Sequence, residues 1–249
     1  MTALPARKDE AFRYADIAAL ASVWRDLATP ERIEIAAQQS VQQIWLPSDE
    51  PVQVRRVEMI LAAGARASIF ALNTATHYGR IEIDVRLHEG ADFALHAANI
   101  GGGASNLEIV TTVRHLEPAA TSRQIIRSVL GGKAVGSYLG KVAVSRDAQK
   151  SDSVQSIKAM LLNRGATANA KPELEIYADD VKCAHGATVG ELDPEQLFYA
   201  AARGLDPASA RALLLEGFVG GLWDEAAGGE AIAELARAAL KALSAGSGA

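Results

Sequence analysis

Cysteine and histidine are scarce in this chain, and two of them stand almost side by side. The sequence holds one cysteine and five histidines in 249 residues. Cys183 and His185 are separated by a single alanine within ADDVKCAHGATVG, residues 178–190. On a strand, positions i and i+2 share a face, so the thiol and the imidazole point the same way. Both are good ligands for transition metals, and a nearby histidine also lowers the pKa of a thiol. The same pair equally suits a small buried thiol beside a histidine bonded to backbone. Spacing leaves these readings open but sets one limit: two ligands do not close a tetrahedral metal or iron–sulfur site. With no second cysteine, the missing ligands must be remote histidines or carboxylates, or must come from another chain. Asp179 and Asp180, adjacent on an extended segment, point to opposite faces and form no paired acid–base set. One of them is placed to cap a turn or to pair with Lys182.

Other chemistries find less support. Gly131-Gly132-Lys133-Ala134 and Gly136-Ser137-Tyr138-Leu139-Gly140-Lys141-Val142 contain Gly-Lys pairs. A phosphate-binding P-loop needs Ser or Thr after the lysine, and a helix opening there. Ala134 and Val142 follow instead, so both segments, like Gly101-Gly102-Gly103, read as turns of a β array. There is no G-x-S-x-G elbow for a serine nucleophile. His77, His88, His96 and His115 are irregularly spaced and read as structural, with His88 and His96 placed to meet across neighbouring strands.

Composition narrows the class. Hydrophobic residues are 49% and charged residues 22%, with a net charge of −5 and no basic block, which argues against nucleic acid as a partner. Aromatics are only 5%, too few for base-stacking platforms. The opening MTALPARKDEAF has no apolar stretch suited to a signal peptide. No apolar run reaches the about 18 residues a membrane span needs. A lone cysteine fits a reducing cytoplasm.

The elements that must position Cys183 and His185 fall into three zones. Residues 1–39 read as an N-terminal helical region, with Ile17, Leu20, Trp24 and Leu27 at helical spacing. Residues 40–190 read as short strands alternating Val, Ile and Thr at every second position. Their turns repeat a Gly-Ala signal in AAGARA, HEGADF and NRGATA, which suggests a sandwich or a β-solenoid. Small residues crowding the turns favour the solenoid. Residues 191–249 read as helical. Asp193-Pro194 and Asp206-Pro207 are start signals, with Gln196 placed to close a capping box, and Gly204 a stop. Ala210, Leu213, Leu214 and Phe218 suggest one apolar stripe, and Ile232, Leu235, Ala236, Ala239, Leu240 and Leu243 another. The tail SAGSGA is expected to fray.

The stretch from Ala148-Gln149-Lys150 to Arg203-Gly204 resembles the SufD branch of the SufB/SufD family of iron–sulfur cluster assembly proteins. The resemblance is carried by Lys171-Pro172-Glu173-Leu174-Glu175-Ile176, Ala178-Asp179-Asp180-Val181-Lys182-Cys183, His185-Gly186-Ala187-Thr188-Val189-Gly190 and Leu197-Phe198-Tyr199. Pro5 with Glu10-Ala11-Phe12-Arg13-Tyr14 is similar to the family's opening segment, which usually has Trp at the position of Phe12. His115, followed by Thr121-Ser122 and Gln124, also looks familial, and Leu139 stands where the family usually has Phe. SufB-like chains are similar but carry a Glu-His-Glu-Ala-Thr type segment in place of residues 183–188. The chain is shorter than many SufD proteins, with fewer strands before His115.

The resemblance implies a mostly β fold: a right-handed parallel β-helix core flanked by short N-terminal and C-terminal helical regions. It implies a non-catalytic scaffold subunit that pairs with SufB and binds the ATPase SufC, ATP hydrolysis belonging to SufC. It implies that the C-terminal helices dock SufC, through Asp193, Leu197, Phe198, Tyr199, Arg203, Gly204, Leu213 and Phe218. ATP-driven closure of SufC is then expected to move those helices and shear the SufB–SufD contact. It implies that Cys183 and His185 are candidate ligands, shared with SufB, for iron or a transient iron–sulfur cluster, His185 being the stronger. None of these groups is expected to stay bound to the isolated chain. A SufB-like homodimeric scaffold, and an independent metal-binding protein using Cys183 and His185, are the alternatives.

Overall fold

A computed structural model describes residues 3–246. Residues 31–190 alternate between two sheets. The strands are β1 (Glu31–Ile35), β2 (Ser40–Trp45), β3 (Val52–Leu61), β4 (Arg66–Asn73), β5 (Tyr78–Leu87), β6 (Asp92–Gly101), β7 (Asn106–His115), β8 (Thr121–Leu130), β9 (Val135–Val144), β10 (Asp152–Leu161), β11 (Thr167–Ile176) and β12 (Lys182–Gly190). The odd-numbered strands form one six-stranded sheet in the order β1-β3-β5-β7-β9-β11, and the even-numbered strands form the other. Every pairing is parallel. Each turn contributes one strand to each sheet, so the expected β-solenoid is present and the sandwich is excluded. Strand β1 lies inside the stretch read as N-terminal helix, so the coil begins at Glu31. Gly136–Val142 lies within β9 rather than in a turn, whereas Gly131–Ala134 is the turn before it.

The corners explain the recurrent Gly-Ala signal. In the first five of the six passages from the odd to the even sheet, one residue takes the left-handed conformation: Gln38, Gly64, Gly90, Ala119 and Lys150. Each donates its backbone N–H to the carbonyl of the next turn, at Ala63, Glu89, Pro118, Gln149 and Asp180 respectively. Glycine occupies only two of these five places, which obscures the repeat in the sequence. The opposite corners stack more tightly. A Cβ on Gly132 would lie 2.9 Å from the Gly103 carbonyl oxygen, closer than side chains approach, and Gly132 also has a left-handed φ of 63°.

Helices cover both outer faces. Helix α1 (Ile17–Leu27) is capped by Asp16, whose carboxylate accepts from the Ala19 N–H. It buries Leu20 and Trp24 against Phe12 and Tyr78 over the odd sheet. After the solenoid come α2 (Pro194–Ala202), α3 (Pro207–Gly220) and α4 (Glu230–Gly246). Asp193 and Asp206 cap α2 and α3 as the sequence suggests, and Gly204 takes a φ of 90°. The stripe assigned to α3 is displaced. Ala210, Leu215 and Val219 are its buried residues, while Leu213 is exposed. Leu215, Val219, Ile232, Ala236 and Leu240 form an apolar layer with Phe70, Leu72, Ala98 and Ile100 of the even sheet. Ser244–Gly246 of the tail belong to α4; residues 247–249 lie outside the described residues.

One buried network ties the N-terminal segment to the odd sheet. Arg80, its side chain wholly buried, bonds Glu82 at 2.8 Å, Glu108 at 3.1 Å and the Ala11 carbonyl at 2.8 Å. The Tyr78 hydroxyl donates to Glu108 at 2.6 Å, and the Phe12 ring lies 4.2 Å from the Arg80 guanidinium. Removing one partner of a buried ion pair strands the other charge, at a cost of about 3–5 kcal/mol. Arg80→Ala is therefore expected to lower unfolding stability in urea by about that amount. It is also expected to expose the segment before Ile17 to proteolysis.

Candidate functional site

Strand β12 is the last strand of the even sheet and pairs only with β10. Its partner at the end of the odd sheet, β11, pairs only with β9. Nothing among the described residues stacks beyond them, so both carry an unpaired backbone edge. Pro172, which has no N–H to offer, sits in β11 as edge strands permit. The family-like residues at both ends of the coil's wrapping meet here, since Lys171 of β11 forms an ion pair with Glu10 of the N-terminal segment.

Register decides where the candidate ligands point. Two inward columns of the even sheet run through successive strands. One is Ala67, Phe93, Ser122, Ser153, Cys183; the other is Ile69, Leu95, Gln124, Gln155, His185. Cys183 and His185 therefore share one face of β12, at the open end of the solenoid interior. Cys183 is half-buried and packs against the interior core; His185 is exposed. Burial first, and then the Asp152 carboxylate, push the Cys183 thiol up, while a hydrogen bond from the Ser153 backbone pulls the other way. The thiol is thus held protonated, and His185 is the more available donor. Among the described residues no cluster of three or more His, Cys, Asp and Glu side chains is placed to hold a metal ion. Cys183 and His185 are thus two candidate donors, half the number that a tetrahedral set needs.

Asp179 and Asp180 occupy the corner before β12, not a strand. Asp180 pairs with Lys150, not Lys182, and its N–H donates to Gln149 Oε1 at 3.0 Å. His88 pairs with Glu117 at 3.0 Å, whereas His96 stacks on Phe70 with centroids 5.2 Å apart.

Both inward columns turn polar toward this end, and that was not read from the sequence. His115 Nε2 lies 2.9 Å from Ser122 Oγ, which lies 2.9 Å from Ser153 Oγ. Gln155 donates to Tyr138 Oη at 3.0 Å, and Tyr138 and Thr111 both donate to Gln124 Oε1, at 3.0 and 2.6 Å. The signal was a polar residue at every second position of two strands one turn apart. Finding it requires the register.

The residues expected to dock the ATPase divide into two groups. Phe198, Tyr199 and Leu213 are 77%, 61% and 56% exposed. They line a groove of about 710 Å³ between α2 and α3 together with Asp193, Arg203 and Leu205. The Arg203 guanidinium lies 5.0 Å from the Tyr199 ring, beside Gly204. Leu197 is half-buried. Phe218 does not join this surface; it packs on the layer between α3 and the even sheet, with Arg127 over its ring at 5.9 Å.

Two pH responses follow. Asp152→Asn removes a negative charge beside Cys183, so the thiol pKa falls and alkylation by iodoacetamide at neutral pH speeds up; an unchanged rate would contradict the assignment. Burial pushes His115 down to about 4. The unfolded chain protonates its histidine at about 6.5, so it binds more protons than the folded chain between these values. Stability contributed by His115 is present above pH 6.5 and falls as pH drops toward 4, by roughly 3 kcal/mol in all. His115→Gln should flatten that portion of the urea-midpoint profile.

Comparison with known proteins places this geometry. The family described as SUF system FeS cluster assembly, SufBD core domain, matches residues 32–218. The iron–sulfur cluster assembly protein SufD of Escherichia coli is 37% identical over 108 residues, covering 43% of this chain and 26% of that protein. The chloroplastic protein ABCI7 of Arabidopsis thaliana is 43% identical over 104 residues, covering 41% and 22%. An iron–sulfur cluster assembly SufBD family protein of Mycobacterium leprae is 28% identical over 199 residues, covering 76% and 50%. The matched region thus spans from about a fifth to half of the length of these relatives. A solenoid whose last strand carries Cys183 and His185, matched by the core-domain family from Arg32 to Phe218, belongs to the SufB/SufD family of SUF-system iron–sulfur cluster assembly proteins.

Proposed function

We propose that this chain is a non-catalytic scaffold subunit of the SUF machinery, pairing with SufB through the open end of its solenoid and with the ATPase SufC through α2 and α3. The carrying observation is the end formed by β11 and β12. Two unpaired parallel edges stand beside an exposed His185 and a half-buried Cys183. An edge of this kind is a template for strand addition. A solenoid end needs a cap, and a second solenoid of matching spacing supplies one. The nascent cluster is cargo in this reading. His185 offers a ligand to it, Cys183 a second after losing its proton, and the partner chain completes the set.

The groove between α2 and α3 supports the second contact. Exposed aromatics beside an arginine are the composition of interface hot spots. No helix among the described residues is long and apolar enough to cross a membrane. The single thiol suits a reducing compartment such as the cytoplasm.

Co-expression with SufB and SufC chains tests the assignment. His185→Ala is expected to co-purify with both partners at wild-type size and to lose most of the cluster absorbance after reconstitution. Full cluster loading in that variant would remove His185 from the site. Phe198→Ala is expected to weaken SufC retention by about 2 kcal/mol, roughly thirtyfold, without affecting SufB. The chain purified alone is expected to hydrolyse no ATP; substantial turnover would overturn the scaffold role. A stable dimer of this chain that persists in the presence of SufB would favour a homodimeric scaffold instead.

A further inference from the structure

Glycines within the strands of this coil answer to a neighbour, except in β12. A Cβ at Gly79 would lie 2.0 Å from Asn73 Oδ1, at Gly101 2.8 Å from Leu107 Cδ1, at Gly136 2.7 Å from Leu130 Cδ1 and at Gly140 2.1 Å from Tyr138 Oη. Each is glycine because another side chain fills its Cβ space. Gly186 and Gly190 sit on the outward face of β12, opposite Ser156 and Met160 of β10 in register. A Cβ at either would meet nothing within 4 Å, and neither takes a left-handed φ. Neither packing nor backbone calls for glycine here, and its remaining effect is to loosen the strand.

The rest of β12 adds little to hold it. Its inward row is Cys183, His185, Ala187 and Val189. Of these only Cys183 packs on the interior core; the other three are exposed, Val189 by 49%. Cys183 apart, no side chain from Lys182 to Gly190 makes a hydrogen bond or ion pair among the described residues. Strand β11 ends the other sheet at the same place and is tied down. Asn169 donates to Ser137 Oγ at 3.1 Å, Lys171 pairs with Glu10 and Glu175 with Lys141, and Leu174 packs on the core. Both flanks of β12 are anchored as well. Asp180 is held by Lys150 and Gln149, and Leu192 packs on the apolar layer between the helices and the even sheet.

We propose that β12 is a hinged strand. In the isolated chain it peels from β10 between fixed points at Asp180 and Leu192, and a partner strand on its open edge holds it shut. Cys183 and His185 move with it, so the pair keeps one fixed face only in the assembled complex. The opening stands on β12 itself; the closing rests on the reading of this end as the SufB contact.

Hydrogen–deuterium exchange of the full chain, alone and in the complex co-purified with SufB and SufC, tests both halves. Alone, amide protection within residues 182–190 is expected to be about a hundredfold lower than within 167–176, the low end of local opening free energies. Equal protection of the two strands overturns the hinge. Gly186→Val adds a strand-favouring side chain into open space and is expected to raise protection of β12 about fivefold, leaving β11 unchanged. A folded Gly186→Val chain with unchanged β12 protection removes glycine as the cause; if it also loses SufB, the glycine is clearance for the partner backbone and the hinge is overturned. In the complex, β12 is expected to reach the protection of β11. An intact complex in which β12 stays unprotected sinks the SufB contact at this end and leaves the hinge standing. Equal protection of β11 and β12 in the free chain, with both rising further in the complex, sinks the hinge and leaves the contact standing.

Discussion

Parallel stacking in register is the constraint on which the rest of this molecule depends. A strand in a parallel solenoid satisfies its backbone only through the turn before it and the turn after it. Residues such as Ser122, Ser153 and Cys183 therefore fall on one line, because each turn repeats the position of the last. The left-handed corner residues hold the turns at matching height by passing an N–H to the next turn. The same rule that makes the interior regular makes its ends incomplete. Helices α1, α3 and α4 cover the outer faces of the sheets but cannot complete the edges of β11 and β12, because only another strand matches a parallel backbone. The unfinished end is where the two candidate ligands lie.

Interior chemistry changes along the coil in a way that burial alone does not favour. The early turns fill the even sheet's inward columns with Ala67, Phe93, Ile69 and Leu95; the later turns use serine and glutamine at the same positions. Apolar residues there would bury their surface at no cost in unmet hydrogen bonds. A polar column is tolerable when its members bond one another, and most of these do. Gln124 Nε2 and Gln155 Oε1 are the exceptions. The columns carry this polar network up to the strand that holds Cys183 and His185.

Local signals made much of this legible in the sequence. Period-two alternation, the Asp-Pro helix starts and the corner glycines each report on a few adjacent residues, and the strands and helices appeared where those signals stood. Cys183 and His185 could be assigned to one face because i and i+2 always share one. What remained hidden was non-local. The register that sets Gln155 beside His185 crosses a whole turn, and irregular corners at Ala119 and Lys150, where glycine was absent, concealed the turn length. The buried face of α3 was misread because that helix is apolar nearly all round, so spacing gave no preference between Leu213 and Leu215. Arg80 gave no signal either: an arginine on a strand reads as exposed, and its burial depends on the N-terminal segment folding over it.

The position of the helices limits how any partner bound at α2 and α3 acts on the solenoid end. Helices α3 and α4 are fixed to the even sheet by a continuous apolar layer. Gln42 clamps their connection from below, donating to the Ala227 carbonyl at 2.9 Å and accepting from its N–H at 3.0 Å. Helix α2 has no such attachment and rests mainly on α3. A force applied to the groove between α2 and α3 thus meets a soft element first and a stiff one behind it. Small displacements are absorbed by α2. Larger ones are passed to the even sheet as a body, since packed layers resist continuous deformation. Strand β12 is the terminal member of that sheet, paired on one side only. In the proposed assembly the contact that yields is therefore the one between β12 and the partner chain, and it yields beside His185.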